Sequence, residues 1–487
     1  MQKPRGLGIL PFSLCLLIWA AGCSHAIFPT QGGGGGGGGT KAPVILTFHD
    51  STTAPAGISV TSFEATVTGA LLQPGSVSIL SAPQTIELTQ LQANSAFLST
   101  TQVATGSYTS LVITYANPKY TFLNDSGVQV TANGQTCAAG ASCVVTPTIT
   151  GASTVTLSGA APFPIVTTTN QTTLLAVDLD LNSTIQSDFS VSFTNSTSVA
   201  AVQSTGATGT TVGNFAVTGA VTSVGSNQFS LASSTGQTLT VAVSSSTAFQ
   251  FQRANCTAND FTCLAVGQIL NVDMSNLTTT GALQATEVDF DDAASTQQVT
   301  GTIVSFNATP PTSFQMIMHN AVPSISGLSV GTPVTVNIAN TATFAINNGS
   351  LPLPVGETFA TSSDLLVGQE VEARISGTFT PGPPPSFTTD RIALEPTQLT
   401  ATVASVSPST SILTLNQLPV IFVDNPIGSV SQIQVTTVSP GTLFLNLSPA
   451  SLSGVTAGQT VSVGGFLFNT ISTSGSPTIV ADAVVGP

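Results

Sequence analysis

"VTGAVTSVGSNQFSLAS" occupies Val217 to Ser233, and its plan returns twice further along the chain. "VTGTIVSFNATPPTSFQMIM" begins at Val299 and "LTATVASVSPSTSILTLNQ" at Leu399. Each copy opens on an alternating run that carries a small residue (Gly219, Gly301, Ala401), turns through polar residues and returns on a second apolar run. Each later reaches a Gly-Gln pair that starts another strand pattern: "LAVGQILNVD" at Gly267, "LLVGQEVEARISG" at Gly368, "VTAGQTVSVGG" at Gly458. A closing run follows in "ALQATEVDF", "FTTDRIAL" and "TIVADAVVG". The spacing between opening and Gly-Gln varies while the ends keep their form, so insertions belong to loops. Five or six strands per copy predict small β-barrel, OB-like modules over 216–292, 298–396 and 399–487. The Gly-Gln turn then supplies a flexible backbone just before a fourth strand.

The same period of two extends outward from the repeats. Phe189-Ser-Val191-Ser-Phe193, Leu239-Thr-Val241-Ala-Val243, Val334-Thr-Val336-Asn-Ile338 and Val461-Ser-Val463 alternate apolar and polar, the half-buried strand pattern. Helical periodicity is hard to find. The prediction is an all-β chain, with a β-sandwich over 43–205 ahead of the three barrels. A porin-like membrane barrel is disfavoured, because such a barrel needs aromatic girdles and the one Trp lies at position 19, within the leader.

The three repeats resemble the bacterial family called domain of unknown function 5666 in their G-x-V-x-x-V, F-x-L, V-G-x-x-V-x-V and A-x-x-V strands. The preceding segment is similar to domain of unknown function 4382, through "FEATVTGALLQPGSVSIL", "IELTQLQANSAFLSTTQVATGSYTSLVITYAN" and "TTLLAVDLDLNSTI". The second repeat departs most, with an insertion around "NNGSLPLPVGETF" and a Pro-rich loop at Pro381 to Pro385; the third has Ala401 where Gly is expected. The resemblance implies fold and brings no catalytic residues.

The N-terminus reads as a leader and tether. Lys3 and Arg5 precede an apolar stretch from Leu7 to Ala21, the length of a signal core and too short for a comfortable span. Ala20-Ala21-Gly22-Cys23 looks like a bacterial lipobox, which makes 1–22 the signal and Cys23 the lipidated residue. The alternative is a plain secretory signal cut after Ala26. Gly32 to Gly39 form neither stable helix nor strand, so 23–42 is a spacer that lifts the folded part off the headgroups. Acyl chains at Cys23 exceed the two hydrophobic signals that stable anchoring needs. Ser24 lacks the Asp that retains such proteins at the inner membrane, so an outer-membrane or surface location is expected.

Beyond the leader five basic residues (Lys41, Lys119, Arg253, Arg374, Arg391) face 21 acidic ones, which argues against nucleic acid and against electrostatic docking on anionic lipid. Only 6% of residues are charged, so hydroxyls and amides must cover the surface, while 41% apolar content suffices for several cores. Cys137 with Cys143 ("CAAGASC") and Cys256 with Cys263 ("CTANDFTC") form two local pairs, read as disulfide staples of an oxidising compartment. Zinc is the rival reading, but neither spacing offers a second ligand pair.

Chemistry-bearing residues are sparse. His49 in "LTFHDS" and His319 are the histidines outside the tether, and no Gly-x-Ser-x-Gly elbow appears. Glu64 and Glu87 have no spacing that marks an acid–base couple. Asp178, Asp180 and Asn182 alternate with apolar residues, so on one strand their oxygens share a face; they contribute to a calcium site or form the charged face of an edge strand. Asp289, Asp291 and Asp292 read as a polar linker after a strand. No cofactor and no metal site is assigned. The leading expectation is a non-enzymatic, lipid-anchored cell-envelope protein that binds or scaffolds an envelope polysaccharide or protein partner. The alternative is an envelope-associated hydrolase or accessory subunit with its site in the first domain, where Tyr108, Tyr115 and Tyr120 lie.

Overall fold

Val44-Ile45-Leu46 runs on through Thr47 to Phe48, and a strand apolar on both faces must be covered on both. The computed structural model describes residues 40–50, 58–203, 211–233, 237–251, 254, 256–277, 280–293, 295–423, 430–469 and 476–486; the leader, Cys23, the glycine run and Arg253 lie outside the described residues. Strand Lys41–His49 sits between Ala96–Ala104, antiparallel, and Thr173–Leu179, parallel, with Thr197–Gln203 at the far edge. Val44, Leu46 and Phe48 face a second sheet built on the long antiparallel pair Ser59–Gln73 and Ser110–Leu123. Gln84–Glu87, Val77–Ser78, Ser142–Val145 and Thr154–Ser158 extend that sheet. Together the two sheets make the β-sandwich. Ile45 points to the opposite face, where Leu174 and Phe97 pack and where Phe97 meets Phe215 of the first barrel at 5.6 Å between ring centres.

Each repeat closes a ring of five strands. In the second, Gln298–Phe306, Ser313–Val322, Pro333–Ile346, Ser386–Glu395 and Glu370–Ile375 follow one another round a closed barrel. In the first the ring runs through Thr211–Val224, Gln228–Ser233, Thr238–Ala242, Leu283–Ala293 and Gln268–Leu277, closed by a short parallel pairing of Thr238–Ala242 with Leu283–Ala293. Thr397–Ser407, Ile412–Asn416, Ile433–Thr437, Thr478–Val485 and Thr460–Phe468 repeat the order in the third. A short extra strand, Ala248–Gln250 or Leu443–Leu445, sits on the closing strand of the first and third barrels. In the second barrel the single strand Pro333–Ile346 does both jobs, with a register break between Ile338 and Thr343.

The Gly-Gln pair opens the fourth ring strand each time, and the side chains explain both residues. Gly267, Gly368 and Gly458 have φ of +87°, +91° and +84°, the left-handed region where other L residues are strained. Their amides donate to Val221, Ile303 and Val403 of the opening strand. The glutamine folds back on its own turn: Gln268 accepts from the Ala265 amide at 2.8 Å, Gln369 from Leu366 at 2.6 Å, Gln459 from Thr456 at 3.0 Å. A Cβ at Gly267 or Gly458 meets nothing within 4 Å, whereas at Gly368 it would lie 2.3 Å from the Phe422 ring of the third barrel. Gly267→Ala and Gly458→Ala should therefore each cost about 1 kcal/mol, from φ alone, and Gly368→Ala about 3 kcal/mol. Urea unfolding of the three variants checks the order, and Phe422→Ala should recover part of the Gly368→Ala loss.

Two local readings are corrected. Phe189 to Phe193 form no strand: Phe189 has a φ of 66°, and Val191 makes only isolated bridges to Ile149 and Ile185 while Phe193 is buried. The alternation of residue types is not an alternation of burial: Phe189 is half-buried, while Ser190, Val191 and Phe193 are buried in a folded loop. The Asp178–Asn182 face is broken as well, because the strand ends at Leu179 and Asp180 caps the one-turn helix Leu181–Thr184, accepting from the Ser183 amide at 3.1 Å.

The sandwich touches all three barrels. Thr100 Oγ1 donates to the Gly281 carbonyl of the first barrel, Thr121 Oγ1 to Gly331 of the second, and the Ala93 amide to Gln398 Oε1 of the third. One hydrophobic core continues through the second and third barrels, with Leu365, Leu366, Phe422, Phe466 and Leu467 among its members. The insertion in the second repeat is a keystone. Ser350 Oγ donates to Glu287 of the first barrel at 2.6 Å, and Leu351 and Pro352 pack against Gly441 of the third.

Candidate functional site

The candidates of the first domain separate into core and rim. Tyr108, Tyr115 and Tyr120 are buried, with their hydroxyls on the Ala104 carbonyl, Thr197 Oγ1 and the Phe189 carbonyl. Tyr115 stacks on Phe193 at 4.3 Å. Their position fits core packing and offers no aromatic binding strip. His49 and Asp178 are register partners on adjacent strands, with Nδ1 3.5 Å from Oδ1. Burial holds the His49 imidazole below its ordinary range, against the pull of Asp178. Ser198 follows in the same row beyond Asp178. The acid thus stands between the other two, and His49 is about 9.5 Å of strand spacing from the hydroxyl, an order that cannot pass a proton from Ser to His. The disulfides Cys137–Cys143 and Cys256–Cys263 staple their loops at sequence separations of 6 and 7.

Glu64 and Glu87, unremarkable in spacing, are brought directly opposite each other on adjacent strands, and Lys119 stands across from Glu64 on the other side. Glu87 is fully engaged: Oε1 accepts from the Phe63 amide at 2.9 Å and Thr89 Oγ1 at 2.7 Å, Oε2 from the Gln90 amide at 3.1 Å. Burial pushes the Glu64 carboxyl up to about 7; Lys119, 3.8 Å away, opposes that rise and Glu87 adds to it. Lys119 Nζ also reaches across to the second barrel, donating to the Val330 carbonyl at 2.6 Å and Ser329 Oγ at 3.0 Å.

His319 completes this joint. It lies on strand Ser313–Val322, buried, with Nδ1 2.9 Å from Glu370 Oε1 and Nε2 2.7 Å from the Thr61 carbonyl of the sandwich. Glu370 Oε2 accepts from Thr302 Oγ1 at 2.7 Å. Burial, the largest single influence, pulls the imidazole pKa down, but the charge and hydrogen bond of Glu370, the charge of Glu87 and the Thr61 carbonyl together outweigh it, and the net result is a rise to about 9.

A second joint lies between the first and second barrels. Asp291 and Asp292, expected in a linker, belong to strand Leu283–Ala293, and Asp291 is buried. Arg391 reaches Asp291 at 3.4 Å, Asp292 at 3.5 Å and Glu372 at 3.5 Å. Arg374 pairs with Asp390 at 2.8 Å and lies 3.7 Å from Asp292. Glu372 accepts from Gln298 Nε2 at 3.0 Å; burial and then Asp291 beside it hold its carboxyl well above the usual range, against Arg391. Next to this joint a polar recess of about 520 Å³ is lined by Ser295, Thr296, Gln297, Pro323, Arg374, Ile375 and Gly377. Glu287 of the first barrel, at the keystone, holds an oxygen shut off from solvent without a donor; Asp482 of the third barrel does likewise, and burial pushes it up to about 6. Among the described residues no group of three or more His, Cys, Asp or Glu is placed to hold a metal ion.

No family model matches the chain, and no curated protein matches it. A solved chain named "drosophila Unr CSD456" is similar over 58% of this chain and 99% of its own, at 10% identity and a TM-score of 0.13. A likeness at that score carries no argument about fold or function.

Proposed function

We propose that the chain is a lipid-anchored, non-enzymatic protein of the bacterial cell envelope, held at the outer membrane or cell surface through Cys23. Its four β modules act as one binding or scaffolding body for an envelope polysaccharide or protein partner. One observation carries the reading: among the described residues His319 and Arg391 are each engaged at a joint between modules, His319 by Glu370 of its own barrel and the Thr61 carbonyl of the sandwich, Arg391 by Asp291 and Asp292 of the first barrel. Reactive side chains engaged in this way hold a shape. The recess beside Arg374 supplies hydroxyl, amide and guanidinium groups of the kind a polysaccharide is bound by.

The hydrolase reading draws on Glu64, whose carboxyl near 7 stands opposite Glu87. The two readings separate in one set of measurements. Cys23→Ala should abolish metabolic acyl labelling and release the protein from the membrane fraction. Tether-free wild type should capture an envelope component from extract, and Glu64→Gln should capture it equally. Retention in the membrane without any label overturns the anchor; a hydrolytic turnover lost in Glu64→Gln overturns the binding reading.

A further inference from the structure

Both ring nitrogens of His319 face atoms that only accept hydrogen bonds. A carboxylate oxygen of Glu370 stands at 2.9 Å from Nδ1 and a main-chain carbonyl, that of Thr61, at 2.7 Å from Nε2. Only the imidazolium carries two N–H groups, so only the charged ring satisfies both. We propose that His319 is a proton-operated clasp between the sandwich and the second barrel, closed as the imidazolium and opened when the ring loses its proton.

The direction of opening follows from the two partners. The neutral ring keeps one N–H, and the bond to a buried carboxylate is the stronger of the two, so the proton stays on Nδ1. Nε2 is then bare, and its lone pair points at the Thr61 carbonyl oxygen in a site closed to water. The bond lost is the one that crosses between modules. The charged groups around the ring are Glu370 of the second barrel and Glu87 of the sandwich, with Glu64 and Lys119 further along the same joint. Thr302 is the neutral hydroxyl on the far side of Glu370. The sign follows from the His319 pKa, raised from 6.5 to about 9: the clasp contributes fully below about 6.5 and is lost as pH rises through 9.

Glu64 and Asp273 (each about 7) and Asp482 (about 6) have given up their protons below the window from pH 8 to 10, and the ring's own nitrogen signals separate His319 from Glu372, whose carboxyl is held well above its usual range. Nitrogen-15 resonances of the histidine rings in the full chain should show His319 titrating near 9 and His49 below 6.5. Amide exchange, corrected for intrinsic rates, should accelerate about tenfold between pH 8 and 10 in Ser59–Gln73 and Ser313–Val322. Lys119→Arg, which keeps its charge throughout, should leave that acceleration in place. His319→Gln should exchange fast at pH 8 and change no further. Glu370→Gln covers the case in which His319→Gln fails to fold, since it should bring the His319 titration to 6.5 or below and move opening down with it. Titration of wild-type His319 at or below 6.5, or an acceleration that Lys119→Arg removes, overturns the clasp.

Discussion

Gly301→Ala should disrupt the second barrel more than any other single methyl addition along the opening strands. A Cβ at Gly301 would lie 2.1 Å from the Ile317 carbonyl oxygen, 2.8 Å from its carbon and 3.1 Å from Met318 Cα. All three atoms are backbone of the neighbouring strand, so no rotamer change relieves the overlap. The strand is coiled tightly here, with register breaks on both sides, at Thr300/Gly301 and Ile303/Ser305. The expected cost is about 3 kcal/mol or more, the upper range for overpacking. Gly219, the equivalent of the first barrel, is looser, with the Ala232 oxygen at 2.8 Å, and its alanine variant should lose about half as much. The third barrel already carries a methyl at this position. Its returning strand pairs with the opening strand only from Thr402 onward, so no backbone crosses over Ala401. Ala401→Gly should cost no more than about 1 kcal/mol, from chain entropy. Urea unfolding of the full chain measures the series; equal losses at Gly219 and Gly301 would sink the steric explanation.

Those three positions also show what a sequence of this kind reveals. Alternation and the two recurring glycines point to barrels because each records a backbone requirement that only local residues can meet. Gln268, Gln369 and Gln459 belong to the same category, since each clamps a turn within five residues of itself. The joints were illegible for the opposite reason. His319 meets Thr61 258 residues away, and Arg391 meets Asp291 100 residues away. Nothing in the local pattern around either partner names the other. Phe189 to Phe193 misled because alternating residue types do not by themselves impose a strand: Ser190 is buried beside Val191 in a folded loop. Tyr108, Tyr115 and Tyr120, noted beside the alternative site in the first domain, are all core, which their local sequence does not reveal. Asp291 was illegible as a buried group because its cation arrives from the next module.

Arg391→Met should destabilise the full chain by about 3–5 kcal/mol at neutral pH, the usual consequence of stripping one partner from a buried ion pair. Methionine fills most of the same space, so the loss is electrostatic. Asp291, with no solvent exposure of its side chain, would be left facing Asp292 and Glu372 without the guanidinium that lies 3.4–3.5 Å from all three. Arg374 is the internal comparison. It is one-third exposed and its main partner, Asp390, is more exposed still, so Arg374→Met should cost about 1 kcal/mol or less. The pH dependence carries the sharper test. Without the guanidinium the folded chain holds the cluster's protons more tightly than wild type does. Acidification therefore relieves the variant, and the gap from wild type should narrow between pH 7.5 and 4.5. Wild type already starts down that path, because Glu372 is held well above the usual carboxylate range by its burial and by Asp291. Adding Asp291→Asn to Arg391→Met should return part of the loss at neutral pH and flatten the narrowing, since the amide has no charge to leave uncompensated. Paired urea titrations at the two pH values decide the matter. If the Arg391→Met deficit equals that of Arg374→Met, or stays constant from pH 7.5 to 4.5, the joint is held by packing and the ion cluster is incidental to it.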